Sequence, residues 1–199
     1  MESDNPDIYL ASRSPRRQEL LRQAGVGFRQ IEVDVDESRH GVEESPEVFV
    51  LRLALEKARA GWARVREGSP LPVLGADTVV ALDDDLFGKP EDRDQALEML
   101  ERLSGASHRV LTGVALVDDR EATRLSFSSV TFRELSREEM ERYWASGEPA
   151  DKAGAYAIQG RGAVFIEHLE GSYSGVMGLP LFEVADLLDE FDIDFRRRW

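Results

Sequence analysis

The sequence predicts an α/β protein with a mixed, twisted sheet and flanking helices, in two lobes around a cleft. Three observations lead there. Strand-like apolar runs and amphipathic helical stripes alternate along the 199 residues. A hydrophobic content of 42% is enough to bury a real core. Two long β-patterned runs at residues 110–117 and 125–132, split by Asp118-Asp119-Arg120, read as a hairpin. A hairpin does not belong in a purely parallel, doubly wound sheet, so the sheet is expected to be mixed.

The polar residues 1–7 are expected to form a disordered tail, residues 8–192 a single domain, and residues 193–199 an exposed basic tail. A buried strand at residues 8–11 leads into Leu10-Ala11-Ser12-Arg13-Ser14-Pro15-Arg16-Arg17. Ser14 suits a helix N-cap, Pro15 the first helical position and Gly25 the close, with Leu20, Leu21 and Ala24 on one face. A helix start leaves N–H groups unpaired and favours anions, and arginine forks match phosphate oxygens. The stretch is therefore either a polyphosphate cradle or a solvated basic helix start. Residues 28–35 alternate as a strand that delivers Asp34, Asp36 and Glu37 at its end, as a metal or base site or merely an acidic loop. Ser45-Pro46-Glu47 opens a long helix whose core-facing stripe is Val48, Leu51, Leu55, Ala58 and Trp62. Lys57 lies off that stripe, and periodicity gives it no function.

Residues 72–82 form a buried strand interrupted by Gly75-Ala76-Asp77-Thr78. Aspartate is depleted from strand interiors, and burying an unpartnered carboxylate is costly, so Asp77 asks for a cation, a hydrogen-bond network or a catalytic task. Asp83-Asp84-Asp85 turns into a short return strand with Lys89 at its end, in Gly88-Lys89-Pro90. Asp92 with Gln95 starts the next helix, which Gly105 closes, and Ser136 with Glu139 is the capping box of another that Gly147 closes. The run Asp151-Lys152-Ala153-Gly154-Ala155-Tyr156-Ala157-Ile158-Gln159-Gly160-Arg161-Gly162 interleaves polar side chains with small residues. Small residues let a backbone approach a ligand closely; a flexible connector is the alternative. Residues 163–168 read as a strand, and Gly178-Leu179-Pro180 leads to a closing helix with Leu181, Val184, Ala185 and Leu188 on one face.

Composition excludes several classes. A net charge of −14 argues against non-specific binding to nucleic acid or to an anionic membrane. Without cysteine there is no disulfide, thiolate nucleophile or thiolate metal site, which is compatible with a reducing compartment. No apolar run has membrane-spanning length. His40, His108 and His168 lack metal-ligand spacing and no serine sits in a nucleophile elbow, so the attacking group expected here is water.

Five segments occur in an order that resembles the Maf family of nucleoside triphosphate pyrophosphatases, also called septum-formation proteins. They are Leu10-Ala11-Ser12-x-Ser14-Pro15-Arg16-Arg17, Gly75-Ala76-Asp77-Thr78, Gly88-Lys89-Pro90, Asp151 through Gly160, and Gly178-Leu179-Pro180-Leu181, within residues 9–191. The resemblance implies a single catalytic domain with the inosine triphosphate pyrophosphatase-like fold. It further implies hydrolysis of dTTP and UTP to the monophosphate and pyrophosphate, by metal-assisted attack of water at the α-phosphate, in a cytoplasmic enzyme, often dimeric. Asp77 matches the family's proton acceptor, and Ser12, Arg16, Arg17, Glu37, Lys57, Lys89 and Gln159 match its active-site set. Ser12, Arg16 and Arg17 would bind phosphate, and Glu37 or Asp77 would ligate Mg²⁺ or Mn²⁺. Arg16, Thr78 and Gln159 resemble the dTTP/UTP subgroup, whereas the 7-methyl-GTP subgroup carries an aromatic residue, Gln and Glu there. The alternatives to this pyrophosphatase are a 7-methyl-GTP pyrophosphatase, a nucleotide-binding regulator of septum formation, and a phosphatase that removes the terminal phosphate.

Overall fold

Residues 5–39, 41, 44–68, 70–83 and 85–199 are described by the computed structural model, so the expectations for residues 1–4, His40 and Asp84 lie outside the described residues. Among the described residues seven strands form the sheet: β1 (Ile8–Leu10), β2 (Phe28–Gln30), β3 (Val73–Leu82), β4 (Asp85–Phe87), β5 (Ser107–Val117), β6 (Glu121–Phe132) and β7 (Ile166–Glu170). Their order is β2-β1-β3-β5-β6-β7, with β4 paired to β3. β1 pairs parallel with β2 and β3, while β4 and β7 pair antiparallel with β3 and β6, so the sheet is mixed. The helices are α1 (Pro15–Gln23), α2 (Pro46–Val65), α3 (Arg93–Leu103), α4 (Arg137–Ala145), α5 (Tyr173–Met177) and α6 (Leu181–Glu190). The chain forms two compact units, Met1–Asp77 with Thr112–Ser126 and Gly178–Trp199, and Thr78–Leu111 with Phe127–Met177.

In the first unit, α2 packs on the sheet at contact distance. A Cβ on Gly75 would lie 2.2 Å from the Ala54 carbonyl oxygen, one on Gly113 2.5 Å from that of Val50, and one on Gly61 2.7 Å from Val73 Cγ1. This closeness rotates the buried face of α2 away from the expected stripe, of which Ala58 is buried and Leu55 and Trp62 are partly buried against the core. Its buried face is Val50, Leu53, Ala54, Lys57, Ala58 and Gly61, whereas Val48 is 56% exposed. Backbone-on-backbone packing selects the face with the smallest residues, not the one with the largest apolar residues. Lys57 therefore sits on the buried side.

Three local expectations also change. β2 stops at Gln30 instead of running to residue 35, because its partner β1 ends opposite at Leu10; the Ile31 N–H to Leu10 oxygen bond, 3.0 Å, is the last rung. Ser14 is the N-cap of α1, but its hydroxyl makes no cap bond; its N–H instead donates to Ser12 Oγ at 3.2 Å. Gly25, with φ of +75°, closes α1 as expected, and the Val26 N–H reaches back to the Leu21 oxygen at 3.0 Å. At the chain ends, the Asp7 carboxylate is buried, accepts from the Gly27 N–H at 2.8 Å and pairs with Arg197 at 2.6 Å. Phe195 is buried, and Trp199 Nε1 donates to the Ala24 oxygen at 3.1 Å.

The second unit closes over the α3 and α4 faces. Asp92 caps α3 by accepting from the Gln95 N–H at 2.9 Å, and the Ser136–Glu139 capping box is complete in both directions. Residues 151–162 are not a flexible connector: they fold as tight 3₁₀ turns with Ala155, Tyr156, Ala157 and Ile158 buried. Residues 163–165 belong to the last of these turns, since the Ala163 N–H is taken by the Gly160 oxygen at 3.2 Å, and β7 begins only at Ile166 opposite Phe132.

His108 is 1% exposed in this unit, packed edge-on against Phe132, with Nε2 and the Tyr156 hydroxyl 2.9 Å apart. Its Nδ1 is buried without a hydrogen-bond partner among the described residues. Burial lowers its pKa from 6.5 to about 4. The unfolded chain thus binds the proton more tightly than the fold does. Stability from this group is complete above the unfolded value and is lost as pH falls from there toward the folded one. Between about pH 7 and pH 5 the loss should be about 2 kcal/mol, read as the fall in denaturation free energy, and should be absent in His108→Gln. An equal pH dependence in that variant would mean that other groups cause it.

Candidate active site

Strand β3 carries Gly75-Ala76-Asp77 along the line that α2 crosses. Because Gly75 lets Ala54 and Ala58 of α2 touch the strand, Lys57, one residue before Ala58, faces Asp77. Lys57 Nζ lies 2.7 Å from Asp77 Oδ1 and 2.6 Å from Glu37 Oε1. The side chains of Lys57 and Asp77 are 11% and 13% exposed and that of Glu37 60%, so a nearly buried pair opens to solvent through one carboxylate. Withdrawing a charge this far from water is sustained only by an opposite charge at bonding distance.

Arg17, in the first turn of α1, ties this strand to the opening motif. Its Nη1 donates to the Ala76 oxygen at 2.8 Å and to Ser12 Oγ at 3.3 Å, and its Nε donates to the Gly178 oxygen at 2.7 Å. Burial lowers the guanidinium pKa below the usual arginine range, opposed by the charge of Asp77 and reinforced by that of Arg16. The usual value is so high that the group stays cationic. Ser12, Arg17, Glu37, Lys57 and Asp77, expected from separate segments, are thus brought together within the first unit, and Arg16 adds its charge from the same helical turn.

Three expected residues belong to the second unit. Thr78 follows Asp77 on β3. Lys89 is exposed just after β4, and Gln159, partly buried, follows the buried Ile158. The loops bearing these two are joined, since the Gly154 N–H donates to the Gly88 oxygen at 3.0 Å, and a Cβ on Gly154 would meet Val80 at 3.0 Å. Sequence reasoning placed Tyr143 on the inward face of its helix, where it is buried, but gave neither it nor Glu148 a part in the site, although both are bonded to the Gln159 loop. The signal available was the pairing of Gly160 and Gly162, which requires something to fill the space beneath them.

The donor set also bears on a metal. Among the described residues no group of three or more His, Asp or Glu side chains is arranged to hold an ion. Glu37 and Asp77, however, present two hard oxygens within 2.7 Å of one ammonium. Two carboxylates suit a small divalent cation that completes its shell with waters and substrate oxygens, and do not make an all-protein cage.

Compared with known proteins, residues 7–191 match the family model described as Maf-like protein. The chain is 69% identical over 197 residues to a dTTP/UTP pyrophosphatase of Alkalilimnicola ehrlichii, covering 98% of this chain and 97% of that protein. It is 51% identical over 193 residues to one from Saccharophagus degradans, covering 96% of this chain and 91% of that protein. It is also 51% identical over 186 residues to one from Escherichia coli O157:H7, covering 93% of each. Among solved structures, a HAM1 protein from Coxiella burnetii aligns over 94% of this chain and 100% of that one, with TM-score 0.49 and 16% identity.

The contact beneath the site is open to test. Gly75→Ala would drive a methyl group against the α2 backbone, and overpacking of this kind costs about 2 kcal/mol, or roughly 4–8 °C in Tm for a chain of this length. Gly68→Ala, whose added Cβ would sit 4.0 Å from the Val65 oxygen, should leave Tm nearly unchanged. Equal Tm values for the two variants would show that α2 yields and that the close approach is not a constraint.

Proposed function

The chain belongs to the Maf-like protein family, and from that membership and the geometry above we propose that it hydrolyses dTTP and UTP to the nucleoside monophosphate and pyrophosphate. The observation that carries the reading is the nearly buried Asp77, gripped by Lys57, whose ammonium also pairs with Glu37, on a chain whose relatives carry that activity in their names.

The chemistry follows from who holds what. Lys57 takes Asp77 Oδ1 at 2.7 Å, and Oδ2 is the oxygen we assign to the attacking water's proton. Ser12 and Arg16 meet phosphate oxygens at the start of α1, and Lys89 supplies charge to the departing pyrophosphate. Arg17 spends Nε and Nη1 on backbone carbonyls, so it shapes the cradle as well as adding charge to it. With Asp77 acting as the base, Glu37 would hold Mg²⁺ or Mn²⁺, which would neutralise phosphate charge and polarise the phosphorus–oxygen bonds. Arg16, Thr78 and Gln159 are assigned to base choice. A Gln amide donates to a carbonyl oxygen and accepts from an N–H at once, which matches the O4/N3–H edge shared by thymine and uracil. Among the described residues no helix is long and apolar enough to cross a membrane. A cytoplasmic setting and a homodimer are carried by the family resemblance alone.

Asp77→Asn keeps the side-chain shape and removes the base, and turnover should fall by roughly 10²–10⁴-fold with the circular dichroism spectrum unchanged. Turnover within a few-fold of the unaltered protein would remove Asp77 from proton transfer. Products identify the reaction: pyrophosphate with monophosphate is expected, whereas orthophosphate would mean loss of the terminal phosphate, and binding without turnover would favour the septation-regulator reading.

In a panel of triphosphates, dTTP and UTP should lead and 7-methyl-GTP should be poor. A combined Arg16→Trp, Thr78→Gln, Gln159→Glu variant should lose that order, because sites that hydrogen-bond one base edge reject the wrong edge strongly. An undiminished dTTP/UTP preference in the variant would sink the assignment of these three residues.

A further inference from the structure

The turn that carries Gln159 is held from beneath by two linked side chains, Glu148 and Tyr143. Glu148 lies in the 3₁₀ turn after α4 (Glu148–Asp151), and its Oε1 accepts from the Tyr143 hydroxyl at 2.8 Å and from the Gly162 N–H at 3.1 Å. Its Oε2 accepts from the Arg161 N–H at 3.0 Å. The same Tyr143 hydroxyl accepts from the buried Ala157 N–H at 3.0 Å, so the backbone is pinned two residues before Gln159 and two and three residues after it. The turn closes on itself through the Gly160 N–H to Ala157 oxygen bond, 3.2 Å. Shape agrees with bonding. A Cβ on Gly160 would lie 2.3 Å from Glu148 Oε2, and one on Gly162 2.7 Å from the Tyr143 hydroxyl, so both glycines are needed for the turn to settle onto these groups. Burial alone would raise the Glu148 pKa, yet the donors from Arg161, Tyr143 and Gly162 bring it below the ordinary value, which keeps three acceptor bonds charge-assisted.

We propose that Glu148, with Tyr143 as its relay to Ala157, is a positioning residue for base discrimination: it fixes the backbone from which Gln159 reads the pyrimidine edge. The inference rests on the reading of Gln159 given above. Uracil and cytosine are nearly the same size and differ at the edge in question, where O4 and N3–H become an amino group and N3. A glutamine reaches that edge through three rotatable bonds, and any freedom left in its backbone multiplies the poses from which it can satisfy the wrong base. Carrying a reading group on a rigid, fully bonded turn removes those poses.

The test is the ratio of kcat/KM for UTP over CTP, which is independent of the fraction of protein correctly folded because both substrates meet the same preparation. Glu148→Gln keeps the shape but turns one acceptor into a donor facing backbone N–H groups. It should lower the ratio about tenfold, chiefly through KM for UTP. Tyr143→Phe, which removes only the hydroxyl relay, should move the ratio the same way by a smaller factor, on the order of threefold, and serves if Glu148→Gln does not fold. Gln159→Ala should also collapse the ratio, and adding Glu148→Gln to it should cause no further fall. If Gln159→Ala collapses the ratio while Glu148→Gln and Tyr143→Phe leave it intact, the positioning role is wrong and the reading of Gln159 stands. If the falls in the double variant multiply, Glu148 acts elsewhere and the proposal fails. If Gln159→Ala leaves the ratio unchanged, the reading of Gln159 fails first.

Discussion

The approach of α2 to β3 and β5 is the constraint on which the first unit depends. At Gly75 and Gly113 the strand backbone meets the helix backbone with no room for a methyl group between them. That distance decides which face of the helix is buried, and through it that Lys57 points at Asp77. An ammonium and a carboxylate each nearly withdrawn from water would be costly alone, and together they roughly offset that cost. Such a pair adds little to stability as a whole. Its effect is specificity of placement, because helix and strand can dock in only one register without stranding a charge.

A second layer of order is built from backbone carbonyls. Arg17 donates to carbonyl oxygens of Ala76 and Gly178 and to the Ser12 hydroxyl, so one guanidinium joins the opening motif, the strand beside Asp77 and the turn before α6. The chain carries a net charge of −14, yet salt screens exposed charges beyond about 8–10 Å. An anionic substrate is therefore governed near the site by the local cations and not by the total. Many of the other arginines are spent on exposed pairs, such as Arg59 with Glu121 and Arg124 with Asp186 and Glu190, and exposed pairs of this kind contribute little to stability.

The second unit uses the same device with the charges reversed. There a carboxylate gathers N–H groups, where in the first unit a guanidinium gathers carbonyls. In both cases a buried or half-buried ion with several fixed partners ties a turn to its neighbours, the turn before α6 in the first unit and the turn carrying Gln159 in the second.

Much of the architecture was legible in the sequence wherever the cause is local. The Ser136–Glu139 box, the Asp92 cap and the glycines at 25, 105 and 147 act within a few residues of themselves, and each does in the fold what its pattern implies. Asp77 declared itself by burial cost, which needs only an apolar strand around it, and the ordered motifs identified the family without any geometry. What the sequence could not decide were matters set between segments distant in the chain. Periodicity placed Lys57 off the core stripe because it ranks residues by hydrophobicity, whereas contact with Gly75 and Gly113 ranks them by size. Asp7 looked like part of a tail because its partners, the Gly27 N–H and Arg197, lie 20 and 190 residues away. Arg17 looked like a pure phosphate ligand because the carbonyls it holds, at Ala76 and Gly178, are 59 and 161 residues away. Residue type states which interactions a group needs, and only the tertiary fold supplies the partner, because the partner is chosen by distance in space and not along the chain.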